Sequence, residues 1–244
     1  KIWYKIEQLV KRFLPPVASL LVFIIRTCGI KVKFCPVIGT RIGHLAANTE
    51  IFLRRYYAGY CDNDFRYVGV SGKVCNETLS RLLNRKIPII KSRFLRGIIT
   101  TPVFTKTEYF NDLPFNSNEY FEFNSLPKII EFTEEEEAFG AKELERMGIG
   151  PENWFVCFHN RDSEYLSQMY AFKDWGYHDY RDCSISNFIP AMEYITSMGG
   201  YAIRMGQMMK EELKTDNNPR IIDYATKFRS DFMDIYLTSH CKFF

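Results

Sequence analysis

Hydrophobic and polar positions change period several times along this chain, and each change marks an element. Through residues 2–13 the apolar positions Ile2, Trp3, Ile6, Leu9, Val10 and Phe13 fall on one stripe, with Lys1, Lys5, Gln8, Lys11 and Arg12 facing away. That spacing predicts an amphipathic helix. Pro15-Pro16 is expected to stop it, because a prolyl ring removes a backbone donor and crowds the preceding turn. A second apolar segment, Val17 to Ile25, follows and is bounded by Arg26. It is too short to span a bilayer, which takes about 20 apolar residues. Lys31 to Val37, Phe65 to Val70 and Ile87 to Ile90 read as short strands. Between them lie helical patterns at His44 to Tyr57, with Leu45, Ile51, Phe52 and Tyr56 as apolar contacts, and at Asn76 to Arg85. This alternation predicts a parallel sheet. From Ser92 to Lys128 aromatics alternate with Asn, Pro and Thr, and the pattern assigns no element.

Thr133-Glu134-Glu135-Glu136-Glu137 opens a helix, with Thr133 as N-cap and Glu136 completing a capping box. The helix is expected to end at Gly148, and Gly150-Pro151-Glu152 reads as the linker to a second domain. Trp154 to Phe158 is an unbroken apolar run without helical spacing, the pattern of a strand buried on both faces. A loop from Leu166 to Cys183 leads to a helical stripe of Ile185, Phe188, Ile189, Met192 and Ile195, capped near Ser186 and ended by Gly199-Gly200. Tyr201 to Met205 and Arg220 to Tyr224 are further strands, Ser230 caps a helix through Leu237, and Cys241 to Phe244 begins one more strand. The fold class is α/β. Residues 1–30 are expected to form an amphipathic and apolar segment, 31–150 an α/β domain, and 151–244 the first half of a second α/β domain that is expected to be incomplete at its C-terminus.

The strand at Trp154 ends abruptly in His159, Asn160, Arg161, Asp162 and Glu164. In an open α/β sheet the carboxyl ends of strands form the ligand crevice. A guanidinium has a planar fork that matches phosphate oxygens and stays charged throughout a reaction. Arg161 therefore points to a phosphorylated ligand, with His159 orienting phosphate or ribose. Arg204 and Gly206 end the next strand and Asp223 the one after; a structural pair between Arg204 and Asp223 is the alternative reading. The long loop carries Tyr170, Trp175, Tyr177, His178, Tyr180 and Arg181. Such a mixture of aromatic and polar groups suits a sugar ring, although a loop that merely packs fits nearly as well. In the first domain Gly39-Thr40-Arg41-Ile42-Gly43 lies between strand and helix, where glycines let a backbone turn tightly beside a ligand. A plain turn has the same signature.

Several of these patches together resemble a family of bacterial glycosyltransferases. They are His159-Asn160-Arg161-Asp162; Tyr180-Arg181 ahead of Ser184-Ile185; Tyr194 to Tyr201; Ile203 to Gly206; Ile222-Asp223-Tyr224; Ser230 to Asp234; and Arg41 to Leu45. The resemblance runs from about Gly39 to the last residue and rests on the combination. It implies two Rossmann-like domains of the GT-B type and a nucleotide-diphosphate-sugar donor held by the second. The acceptor, a surface polysaccharide or lipid-linked glycan, would approach across the first, with no cofactor and no metal. Arg161 would stabilise the leaving diphosphate, with His159, Tyr180, Arg181, Arg204, Gly206 and Asp223 binding substrate. Arg41, Gly43 and His44 would line the cleft between domains, His44 as general base. His159-x-Arg161 is also similar to the His-x-Arg-Arg-x-Asp motif of GDP-fucose-dependent fucosyltransferases, whose first Arg meets the nucleotide diphosphate. Here Asp162 replaces the second Arg and Glu164 the Asp, so that likeness does not single out GDP-fucose. Asp62-Asn63-Asp64 has the D-x-D form of metal-dependent glycosyltransferases, but no buried strand precedes it and Asp and Asn are turn residues. It is read as a turn.

Composition changes the picture in three places. Net charge is only +3, which gives no argument for nucleic acid. The excess is local, however: Lys1, Lys5, Lys11, Arg12, Arg26, Lys31 and Lys33 stand against Glu7 alone. An anionic membrane surface is the partner such a segment suits, through residues 1–25; a helix packed on its own domain is the other reading. The seven cysteines form no C-x-x-C pair, which favours a reducing compartment without disulfides or zinc. The expected location is cytoplasmic, peripheral on the inner face of the membrane. The alternative to an enzyme is a non-catalytic carbohydrate- or nucleotide-binding module. A methyltransferase or kinase is disfavoured because neither G-x-G-x-x-G nor G-x-x-x-x-G-K-[ST] occurs.

Overall fold

In a computed structural model of the chain, the strand–helix alternation condenses into two open parallel sheets of three strands each. The structure describes residues 2–114, 120–161, 176, 180, 182–207, 209, 211–215 and 217–244, with backbone alone for 2–11 and 120. The chain divides into two units, Lys1–Glu131 and Phe132–Phe244.

In the first unit, helix α1 (Ile2–Thr27) leads into strand β1 (Val32–Pro36), a π-helical turn (His44–Asn48) and helix α2 (Thr49–Tyr57). Strand β2 (Arg66–Ser71), helix α3 (Glu77–Asn84) and strand β3 (Ile89–Lys91) follow. The sheet order is β1-β2-β3, in parallel register. On the free side of β1, Phe34 forms a parallel bridge to Phe110, through Phe34 N–H to the Tyr109 carbonyl and Asn111 N–H to the Phe34 carbonyl. The segment after Ser92, where the sequence pattern assigns nothing, holds α4 (Arg93–Ile99), α5 (Pro102–Thr105) and α6 (Tyr120–Ser125). The Ser92 and Thr101 side chains cap α4 and α5. Two expectations are corrected. Pro15 and Pro16 lie inside α1 and do not end it. Ala18 and Ile25 are buried on its packed side and Leu14 lies over Gly97 of α4, so tertiary contact holds together a helix that its local sequence would break. The helix expected from His44 onward starts with a π turn, and regular α-helix begins only at Thr49.

The second unit opens with α7 (Glu134–Arg146), whose Thr133–Glu136 capping box forms as the sequence requires. The division of the chain falls ahead of this helix and not at Gly150. Phe132 and Phe139 pack on Phe232 and Tyr236, which draws the helix into the second unit. Strand β4 (Phe155–Phe158) is followed, after the described break, by a 3₁₀ turn (Ile185–Phe188), helix α8 (Ile189–Ser197) and strand β5 (Tyr201–Arg204). Strand β6 (Ile221–Ile222), α9 (Tyr224–Lys227) and α10 (Asp231–His240) complete it. The sheet order is β4-β5-β6. Successive side chains of β4 reach opposite faces: Phe155 and Cys157 join Met147, Ile149, Met233 and Leu237, whereas Val156 joins Ile185, Met192 and Ile195. The unbroken apolar run is thus a consequence of two covered faces. Cys241–Phe244 is not regular strand, yet Lys242 N–H bonds the Phe155 carbonyl and Cys157 N–H the Phe243 carbonyl, along the free side of β4.

Candidate functional site

In both units the chain adds a segment on the side of its first strand away from the second. In the second unit the spatial order is β6-β5-β4 and then Lys242-Phe243, so β4 has its successor β5 on one side and, on the other, a segment that the chain reaches only after β6. A crevice opens outside the carboxyl end of a strand where the order reverses in this way. The carboxyl end of β4 delivers His159, Asn160 and Arg161 to that point. His159 is exposed, and its ring lies 6.3 Å from that of Phe244 in a stacked arrangement. Asn160 is buried; its Nδ2 donates to the Cys183 carbonyl at 3.0 Å, and its Oδ1 has no partner among the described residues.

Arg161 keeps 27% of its side chain exposed and stands 3.5 Å from Asp182, Nε to Oδ1. Its carbonyl accepts the Cys183 N–H at 2.9 Å, which holds the backbone after β4 against residues 182–184. Among the described residues this loose contact is the carboxylate it meets, and a fork with five N–H donors can take a second anion beside it.

Arg204 is placed otherwise. It ends β5 fully buried, with Nη1 3.4 Å from Asp223 Oδ2 and Nη2 donating to the Glu211 carbonyl at 2.6 Å. The structural pairing with Asp223 is therefore present, and in this structure Arg204 faces protein instead of solvent. Arg204 Nε and Asp223 Oδ1 have no partner among the described residues. Glu211 also receives the Ser184 hydroxyl at 2.6 Å. A chain of contacts thus crosses the carboxyl ends of β4, β5 and β6, from Arg161 through Asp182, Cys183 and Ser184 to Glu211, Arg204 and Asp223. Gly206 sits in this belt at φ 155°, and a Cβ there would lie 2.7 Å from Met209 Sδ. Only glycine lets the backbone turn away from β5 at that point.

Just beyond Asp223, the buried Tyr224 hydroxyl lies 2.8 Å from Asp234 Oδ1 and accepts the Ser230 N–H at 3.0 Å, fixing α9 to α10. Burial raises the pKa of both the Tyr224 hydroxyl and the Asp234 carboxyl, the latter opposed by Arg229. Tyr180 is 84% exposed and joins no part of the belt, and Arg181 lies outside the described residues, as does most of the aromatic loop.

In the first unit the corresponding reversal is at β1, between β2 and residues 109–111. Arg41 and Gly43 are exposed in the loop that follows β1, and His44 is half-buried at the start of the π turn. His44 Nδ1 is 3.3 Å from Asn48 Oδ1, while Asn48 Nδ2 bonds the Pro114 carbonyl. Single π turns inside helices recur at functional sites. Gly39, not Gly43, is the sterically required glycine: a Cβ at 39 would lie 2.7 Å from the Lys73 carbonyl, whereas one at 43 meets nothing. Ser71 ends β2 beside it, fully buried, with no partner for its hydroxyl among the described residues. Asp62-Asn63-Asp64 forms an Asx turn, Asp64 N–H to Asp62 Oδ1 at 3.1 Å. Among the described residues no group of three or more His, Cys, Asp and Glu is placed to hold a metal ion.

Asn160, Asp182, Ser184 and Glu211 are the belt members that sequence reasoning did not single out as site residues. Their contacts join positions 21 to 27 residues apart or reach a buried Arg, and no local pattern reports such pairings. Compared with family models, curated proteins and solved structures, the chain matches none.

Proposed function

We propose that the chain is a glycosyltransferase of the two-domain GT-B type, taking a sugar from a nucleotide-diphosphate donor to a glycan or lipid-linked acceptor. One observation carries the reading: the strand order of the second sheet reverses at β4, and the carboxyl end of that strand presents a partly exposed guanidinium, Arg161, beside an exposed imidazole, His159. In such a transfer the bond between the anomeric carbon and the diphosphate oxygen breaks, and the acceptor oxygen bonds to that carbon as it loses its proton. Negative charge grows on the departing diphosphate. A fixed cation aimed at that charge is the kind of group that lowers the barrier, by about 10²–10³ in rate for a single well-placed donor. Arg161 takes this part without a metal. His159 orients the phosphates or the ribose, and Arg204 holds the belt from beneath.

The test is calorimetric titration of the protein with UDP, GDP, CMP and TDP. One nucleoside diphosphate is expected to bind, and Arg161→Ala to weaken it about 10- to 100-fold, the loss of a charge-assisted contact. The melting temperature is expected to stay within a few degrees, since Arg161 is not a core residue. Unchanged affinity in the variant would remove Arg161 from the site and the proposal with it.

A further inference from the structure

We infer that the outward face of α1 is a docking surface for an anionic lipid bilayer. Among the described side chains the helix is held from one side: Ala18 and Ile25 are buried and Leu14 lies over Gly97. On the other side Phe13, Leu20, Phe23 and Ile24 are 63%, 58%, 65% and 45% exposed. At 3.6 residues per turn these four and Pro16 fall within an arc of about 100°. They form one stripe along the helix and not scattered surface hydrophobes. Arg12, Ser19 and Arg26, all exposed, follow on the adjoining arc.

The uninterrupted passage of α1 through Pro15 and Pro16 gives the stripe its length. Had the prolines ended the helix, Phe13 would belong to a different element from Leu20 and Ile24. No described helix is long and apolar enough to cross a membrane, so the stripe suits insertion in the plane of an interface.

Charge selects the occupant. Between Glu7 and Glu50 the sequence has no carboxylate, while Lys11, Arg12, Arg26, Lys31, Lys33 and Arg41 fall in that interval; Lys33 is paired with Asp62 at 3.6 Å, and the exposed Arg12 and Arg26 are the cations that border the stripe. A second copy docking face to face through the same patch would bring this cationic edge against itself. An anionic bilayer meets both demands at once, acyl chains for the stripe and phosphate headgroups for the guanidinium and ammonium groups.

Co-sedimentation of the full chain with vesicles of phosphatidylcholine, with and without phosphatidylglycerol, tests this. The protein is expected to pellet with the anionic vesicles and much less with phosphatidylcholine alone. Leu20→Asp with Phe23→Asp is expected to abolish pelleting. Arg12→Glu with Arg26→Glu is expected to weaken it roughly ten-fold or more. All four positions are exposed, and an unchanged circular dichroism melt identifies variants that still fold. Retention of the unmutated protein in the supernatant, or equal binding by folded variants, would overturn the inference. So would a dimer in sedimentation velocity that the aspartate pair dissolves while anionic vesicles capture nothing, since the stripe would then be a contact between copies.

Discussion

Arg161 follows one buried strand and Arg204 ends the next in the same sheet, yet their surroundings give them different work. Arg204 is fully buried, so its charge is tolerable only because Asp223 and the Glu211 carbonyl face it. Arg161 has a carboxylate at 3.5 Å, with 27% and 22% of the two side chains exposed, a geometry in which water screens much of the attraction. Asp182 then has a definite consequence for an anionic ligand. It sets a negative charge beside the place where the proposed diphosphate binds, and it competes for the same guanidinium. Asp182→Asn is expected to tighten nucleoside diphosphate binding about five-fold, the equivalent of about 1 kcal/mol for a partly screened pair. The gain is expected to shrink as salt is raised. Titration calorimetry at two ionic strengths reads both effects. Weaker binding in the variant would mean that Asp182 holds Arg161 in position and does not compete for it.

At the scale of elements, what the sequence made legible follows from how local each signal is. The α7 capping box needs two residues three apart and forms where Thr133 and Glu136 predict it. The run ending in Phe158 announces a doubly covered strand by its composition alone. Helices α4, α5 and α6 span seven, four and six residues, too short for a 3.6-residue period to register. The failure at Pro15-Pro16 is of another kind, since the contacts that hold α1 together come from residues more than eighty positions away. The same non-local logic governs Arg54 in α2. Its Nε bonds Glu50 Oε1, and its Nη1 donates to the carbonyls of Glu122, Phe123 and Leu126. Glu50 in turn accepts the Ile129 N–H. One buried guanidinium therefore ties α2 to α6 and to the chain beyond it. Arg54→Met would leave Glu50 as an uncompensated buried charge, and a loss of about 3–5 kcal/mol is expected. Chemical denaturation reads it directly; a loss below about 1 kcal/mol would show that solvent replaces these bonds without difficulty.

Across the whole molecule, the chain builds two parallel sheets that each gain a further segment beside their first strand, Phe110 beside β1 and Lys242-Phe243 beside β4. The alternation of elements predicts parallel sheets, and the buried run predicts which strand end carries the candidate site. The order of strands stays hidden because it is fixed by pairings between residues about twenty to ninety positions apart. The boundary between units was hidden for a related reason. Gly150-Pro151-Glu152 has the composition of a linker, but Met147 and Ile149 just before it are buried in the core that Met233, Tyr236 and Leu237 supply from α10. Composition reports where a backbone can turn, whereas burial decides to which core the flanking helix belongs. Met233, 2% exposed, gives a way to separate the two. Met233→Ala is expected to cost about 2–5 kcal/mol in the second unit. If α7 shares that core, hydrogen–deuterium exchange will speed up in Glu134–Arg146 together with Asp231–His240 and leave Thr49–Tyr57 and Glu77–Asn84 unchanged. Protection retained in Glu134–Arg146 while Asp231–His240 loosens would move the boundary back to Gly150.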